Sequence, residues 1–171
     1  MVPVSNSETS EMSKLNENCQ RILAVSYFNQ IADNCKKHGV DPEELARASA
    51  TKPFGYLPVH SSLTQLAGNC LAVNANWFLY NNDIPLLENA VTYAKNRPYE
   101  KACELLKTKS DINRILIVGI TFKKNYPGTY LAPVYQYVDA LKKIKPNIHI
   151  DFVDDVVNEE NITLKNVYKS Y

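Results

Sequence analysis

Arg114-Ile115-Leu116-Ile117-Val118-Gly119-Ile120 is the stretch on which the architecture turns. Its unbroken run of Ile, Leu and Val predicts a strand buried on both faces, as in a parallel sheet. Downstream, the spacing predicts a helix over about 130–143, and Ile148-His149-Ile150-Asp151-Phe152-Val153 alternates as a second strand. Strand, helix and strand in that order make a βαβ unit with a right-handed crossover. Two strands make a poor sheet on their own, so this part reads as truncated. Residues 156–171 are polar with isolated Ile162, Leu164 and Val167, a final helix or a tail.

Upstream of Asn113 the pattern is helical. From Glu11 to about His38, Leu15, Cys19, Ile22 and Leu23 fall at helical spacings, and Val25, Phe28, Ile31 and Cys35 continue on a neighbouring face. Gly39 suits the position after the last turn, which carries Lys36, Lys37 and His38. Asp41 can cap a second helix that has Pro42 first and runs through Ala50. A loop with Pro53, Gly55 and Pro58 leads to a third helix over about Leu63–Tyr80, where Leu66, Cys70, Val73 and Trp77 line one apolar face. A fourth runs from Pro85 to about Lys107, with Pro98 kinking or restarting it. The expected organisation is a flexible 1–10, a helical domain over 11–110 and a βαβ domain over 111–171. The fold class is α/β overall, with a mostly helical first domain.

Composition narrows the function. The 171 residues are 45% hydrophobic and 22% charged, the balance of a folded chain. Lys+Arg 19 against Asp+Glu 18 leaves a net charge of +1, which offers no footprint for nucleic acid or an anionic membrane. Mean hydropathy is −0.30, and no apolar run approaches the roughly 18 residues of a membrane helix. The polar start, 1–13, lacks the charged-then-apolar order of a secretory signal, so the sequon Asn161-Ile162-Thr163 reads as chance. Four scattered cysteines then fit reduced thiols in a cytoplasmic or nuclear setting. Five glycines build neither G-x-G-x-x-G nor a Walker loop, so the chain is expected to hold no NAD. Cys35 and His38 share a helix face, but Cys19 and Cys103 lack the spacing to complete a metal site. Tyr126, Tyr130, Tyr135 and Tyr137 have no basic interleaving and suit packing or protein contact better than stacking on bases.

Several strings resemble one family in the right order. Glu11-Met12-Ser13-Lys14-Leu15-Asn16-Glu17-Asn18-Cys19-Gln20-Arg21, followed by Asn29, resembles the start of the central domain of nucleotide-sugar dehydrogenases. Lys52-Pro53-Phe54-Gly55-Tyr56 looks like the approach to the catalytic loop in the UDP-N-acetylhexosamine branch, and Gly68-Asn69-Cys70 falls where that branch has Gly-His-Cys. Thr121-Phe122-Lys123 and Asp154-Asp155 look like the opening of the family's third, UDP-sugar-binding domain. The resemblance implies an NAD-dependent double oxidation of a primary alcohol through an aldehyde and a cysteine thioester. Cys70 would be the nucleophile. Lys14 and Asn18, four apart on one helix, would stabilise the reacting oxygen. Lys52, Phe54, Gly68 and Lys123 would contact substrate.

The departures from the family pattern are concentrated at those sites. The family's water-activating carboxylate falls on Asn74, whose amide cannot accept a proton at neutral pH. The Gly-rich loop falls on Leu63, Gln65, Ala67 and Gly68, with one glycine left of four. The acidic residue, Arg and Ser of the third domain fall on Gly128, Tyr130 and Ala132, leaving only Pro133. Cys70 is accordingly expected to be an unreactive, buried thiol. The resulting expectation is a non-catalytic relative, not an enzyme, that serves as a dimerisation or protein-interaction module through Ile22, Val25, Phe28 and Ile31. The alternative is the C-terminal fragment of an NAD-dependent UDP-sugar 6-dehydrogenase, with NAD entering only through a Rossmann domain ahead of this segment.

Overall fold

A computed structural model describes residues 2–52, 54, 69–80, 82–121, 125, 127–130, 132–154 and 156–157. The elements follow as α1 (Ser7–Lys37), α2 (Pro42–Ser49), α3 (Asn69–Tyr80), α4 (Pro85–Thr108), β1 (Arg114–Val118), α5 (Pro133–Ile144) and β2 (His149–Val153). Among the described residues the chain is mostly helical with one two-stranded parallel sheet, the coarse form of the α/β expectation.

Helix α1 begins ahead of the expected Glu11, because Asn6 caps it. The Asn6 side chain accepts the Thr9 N–H at 2.9 Å, and Glu8 sits in the positive first turn. It ends as the sequence suggests. Gly39 takes φ +69, which lets the Val40 N–H reach the Cys35 carbonyl at 3.0 Å and close the last turn. Asp41 caps α2 by accepting the Glu43 N–H at 3.0 Å, with Pro42 at the first position.

The chain divides into two compact units, and the division falls inside α4, between Lys95 and Asn96. The first unit holds α1, α2, α3 from Cys70, and the first part of α4. Its core joins Cys19 and Ile22 of α1, Leu71 and Ala75 of α3, and Leu87, Ala90 and Val91 of α4. The Ser26 hydroxyl donates to the Ala90 carbonyl at 3.2 Å and gives the α1–α4 contact a polar anchor. Pro98, inside α4, lies just past the division and lacks the N–H that would reach the carbonyl of Ala94.

The second unit holds the rest of α4, β1, α5 and β2. Strands β1 and β2 pair in parallel, with Ile115 opposite Ile150 and Ile117 opposite Phe152. Those four point to one face, where Tyr137, Ala140 and Leu141 of α5 pack with Ile115 and Ile150. Burial, and then the nearby Glu104 carboxylate, push the Tyr137 phenol up. The opposite face carries Arg114, whose Nε donates to Asp151 at 2.8 Å, and His149, whose Nε2 lies 3.1 Å from the same carboxylate. That face explains a correction. The strand expected to be buried on both sides is only half-buried along its middle, and Val118 is 75% exposed. Lys145 ties the end of α5 to the α4–β1 connection, its ammonium donating to the Ser110 and Ile112 carbonyls at 3.1 and 2.7 Å.

Candidate functional site

Lys14 and Asn18 lie one turn apart on α1, and their surroundings differ sharply. Lys14 is exposed and its ammonium meets only Glu17, at 3.2 Å, among the ion pairs of the described residues. Such a pair in water is worth little. Asn18 is 6% exposed, and its Nδ2 is buried with no hydrogen-bond partner among the described residues. Leaving an amide donor unsatisfied in that way costs about 1–3 kcal/mol. Next to it, Cys19 belongs to the core, and burial pushes its thiol up.

Cys70 opens the first turn of α3 and is exposed, against the expectation of a buried small hydrophobe. The face read as inward, with Val73 and Trp77, is the outward one: Val73 is 54% and Trp77 71% exposed. Leu71 and Ala75 turn inward instead, onto Cys19 and Ile22 of α1. The physical reason is that α3 is apolar nearly all round, so its periodicity does not choose a face. Asn74, at the position of the family's carboxylate, is half-buried. Along the outward face Ala72, Val73, Asn76, Trp77 and Tyr80 line an open groove of about 450 Å³. Asn76 in this lining has its Nδ2 donating to the Ala72 carbonyl at 2.7 Å and its Oδ1 accepting from Lys95 Nζ at 3.0 Å.

Asn18 and Cys70 are each placed next to the core of the first unit by sequence. Each immediately precedes a residue of the shared core, Cys19 on α1 and Leu71 on α3. Lys52 and Phe54 are both exposed and associate locally, the ammonium 5.9 Å from the ring centre. Gly68 and Lys123 lie outside the described residues, as does most of the Gly-poor loop before Cys70. The expected interface residues need correction as well. Ile22 and Phe28 are 0% and 3% exposed inside the chain's own core, while Val25 and Ile31 are half-buried. A helix apolar on several sides suggests an outside partner, yet around Cys19, Ile22 and Leu23 the chain's own α3 and α4 share its core. Sequence reasoning missed the burial of Arg97, 3% exposed within α4, because nothing in its neighbours Asn96 and Pro98 marks that face as inward.

At the end of the sheet, Asp154 collects backbone donors. Its Oδ2 accepts the N–H groups of Ile120 and Thr121 at 2.7 and 3.3 Å, and its Oδ1 those of Val156 and Val157 at 2.8 and 3.0 Å. Desolvation alone would raise this carboxyl, but the four N–H donors outweigh it and bring the pKa down to about 2. Among the described residues no three His, Cys, Asp or Glu side chains gather as metal ligands, and no helix is long and apolar enough to cross a membrane.

Residues 8–96 match the model of the UDP-glucose/GDP-mannose dehydrogenase family, central domain. The chain is 26% identical over 168 residues to a UDP-N-acetyl-D-glucosamine 6-dehydrogenase of Pseudomonas aeruginosa, covering 92% of this chain and 39% of that protein. With a UDP-N-acetyl-D-mannosamine dehydrogenase of Methanococcus vannielii it shares 23% identity, over 91% of this chain and 36% of that one. In fold it is similar to the UDP-D-ManNAc dehydrogenase of Pyrococcus horikoshii, with a TM-score of 0.77 at 22% identity over 95% of this chain and 40% of that chain. The chain thus spans about two-fifths of the length of the relatives it matches. These relatives overturn the expectation of a chain outside enzymology, since they are dehydrogenases by name. Asn74 and the replaced glycines mark divergence within an enzyme family, because the helices that seat Asn18 and Cys70 match that family's domain. With more than half of its length matched by that model, the chain belongs to the UDP-glucose/GDP-mannose dehydrogenase family, of which residues 8–96 are the central domain.

Proposed function

We propose that this chain is the sugar-handling portion of a UDP-sugar 6-dehydrogenase, a central helical domain followed by a partial Rossmann-like βαβ unit, acting on a UDP-N-acetylhexosamine. The observation that carries this reading is the buried, unpartnered Nδ2 of Asn18. A donor held out of water without an acceptor is a cost to the free chain, and a substrate oxygen would remove it. Cys70 stands exposed at the start of α3, next in sequence to Leu71 of the core that also holds Cys19. Its thiolate would add to the carbonyl carbon of a sugar aldehyde, and the carbonyl oxygen would gain the negative charge. Asn18 Nδ2 and the loosely held Lys14 ammonium are suited to stabilise that oxygen. Asn74 offers an amide where a carboxylate could deprotonate water, so it gives no general-base help.

NAD, which the family implies, does not suit the described residues. The Ile120 and Thr121 N–H groups, which follow β1 where a pyrophosphate could lie, already donate to Asp154. We therefore assign NAD to no residue of this chain and derive no step through it. Alkylation at Cys70, followed by mass spectrometry, tests the reading. UDP-N-acetylglucosamine at millimolar concentration is expected to slow labelling of Cys70 several-fold and leave Cys103 unchanged. Equal labelling of Cys70 with and without the nucleotide sugar would remove the substrate assignment.

A further inference from the structure

We propose that the four backbone N–H groups gathered on Asp154 form an anion site that the chain fills with its own carboxylate, closing the strand ends to a nucleotide phosphate. The donors come from two separate segments. Ile120 and Thr121 follow β1, while Val156 and Val157 follow β2. Gly119 makes the first pair available: at φ +87 it turns the chain out of the strand, after its own N–H has bonded to the Val153 carbonyl at 2.7 Å. Backbone N–H groups converging beyond the carboxyl ends of parallel strands are the usual means by which α/β units hold phosphate. Here the anion is internal.

The occupancy is complete by count. A carboxylate offers about four lone-pair positions, and each Asp154 oxygen takes two N–H donors. With these four donors in place among the described residues, a ribose hydroxyl meets a carboxylate already bonded at both oxygens. A phosphate finds its donors taken and a fixed negative charge in its place. The depressed pKa means that the site stays filled and charged at every physiological pH. The inference concerns the second unit and deepens the exclusion of NAD drawn from the same bonds, whereas the catalytic part of the dehydrogenase reading rests on α1 and α3.

Nitrogen-15 NMR of the full chain tests it. In the wild type, the amide resonances of Ile120, Thr121, Val156 and Val157 are expected to stay fixed as inorganic phosphate or UDP is added at neutral pH. In Asp154→Gly the same four are expected to move together and saturate with phosphate or acetate, with chloride at equal ionic strength having no such effect. Should that variant not fold, Asp154→Asn replaces it, because it keeps one acceptor oxygen. In that variant two of the four amides are expected to lose protection from hydrogen exchange while the other two retain it. Saturable shifts of these amides in the wild type on adding phosphate would overturn the proposal. So would a folded Asp154→Gly chain whose amides ignore every anion.

Discussion

At the scale of single residues, Asn18 is where the chain is least content with its own fold. Its pairing with Lys14 at i, i+4 is legible in the sequence, but its burial is not. A polar residue before Cys19 reads as the edge of a stripe, and only the folded chain shows its amide out of water. Asn18→Leu removes a donor that has no acceptor and keeps most of the volume. The variant is expected to be more stable than wild type by about 1 kcal/mol in urea unfolding. It is also expected to lose the protection of Cys70 by nucleotide sugar. A loss of stability would mean that the amide has a partner in solution. Ile22 makes the opposite case. It is 0% exposed and sits among Leu71, Ala75 and Leu87, so Ile22→Ala is expected to cost about 2–5 kcal/mol. A change near zero accompanied by a lower particle mass would return Ile22 to an interface role.

Elements were legible where one strong signal fixed them. Pro42 behind Asp41, Gly39 at positive φ and the apolar run of β1 all appear where the sequence puts them. The start of α1 was not, because a Ser- and Glu-rich segment reads as a tail unless Asn6 is recognised as its cap. The face of α3 was not either, since Leu71, Ala72, Val73, Ala75, Trp77, Phe78 and Leu79 spread apolar surface around it and Asn69, Asn74 and Asn76 are its few polar markers. Trp77 is the only tryptophan, so it reports on that face directly. Dilute chain is expected to emit like solvated indole and to be quenched freely by iodide. Emission shifted to the blue and shielded from quencher would place α3 the other way round. Asp154 governs acid behaviour at the sheet. Its folded pKa of about 2 lies below the unfolded value of about 3.9, so the folded state binds its proton less readily. That contribution is complete above about pH 4 and is lost as pH falls toward 2. Asp154→Asn is expected to be less stable at neutral pH and to show a flatter acid limb when urea midpoints are compared across that range.

For the whole molecule, the sequence reported a change of character at Asn113, whereas the compact units part within α4, after Lys95. Composition and periodicity mark where strands begin, but they do not say which core a long helix serves. The first half of α4 sends Leu87, Ala90 and Val91 into one core and the second half sends Ala102 into another. Pro98 lies between these contributions, beside the division, and deprives the Ala94 carbonyl of its helical donor. The consequence is thermal. A helix with its full hydrogen-bond ladder would couple the melting of two cores, but this one lacks the bond to the Ala94 carbonyl beside the division. Calorimetry is expected to give an unfolding enthalpy larger than the van't Hoff value, the mark of more than one melting step. Pro98→Ala, by restoring the missing donor, is expected to bring the two values together. A single sharp transition in the wild type would show that α4 transmits stability across its proline undiminished.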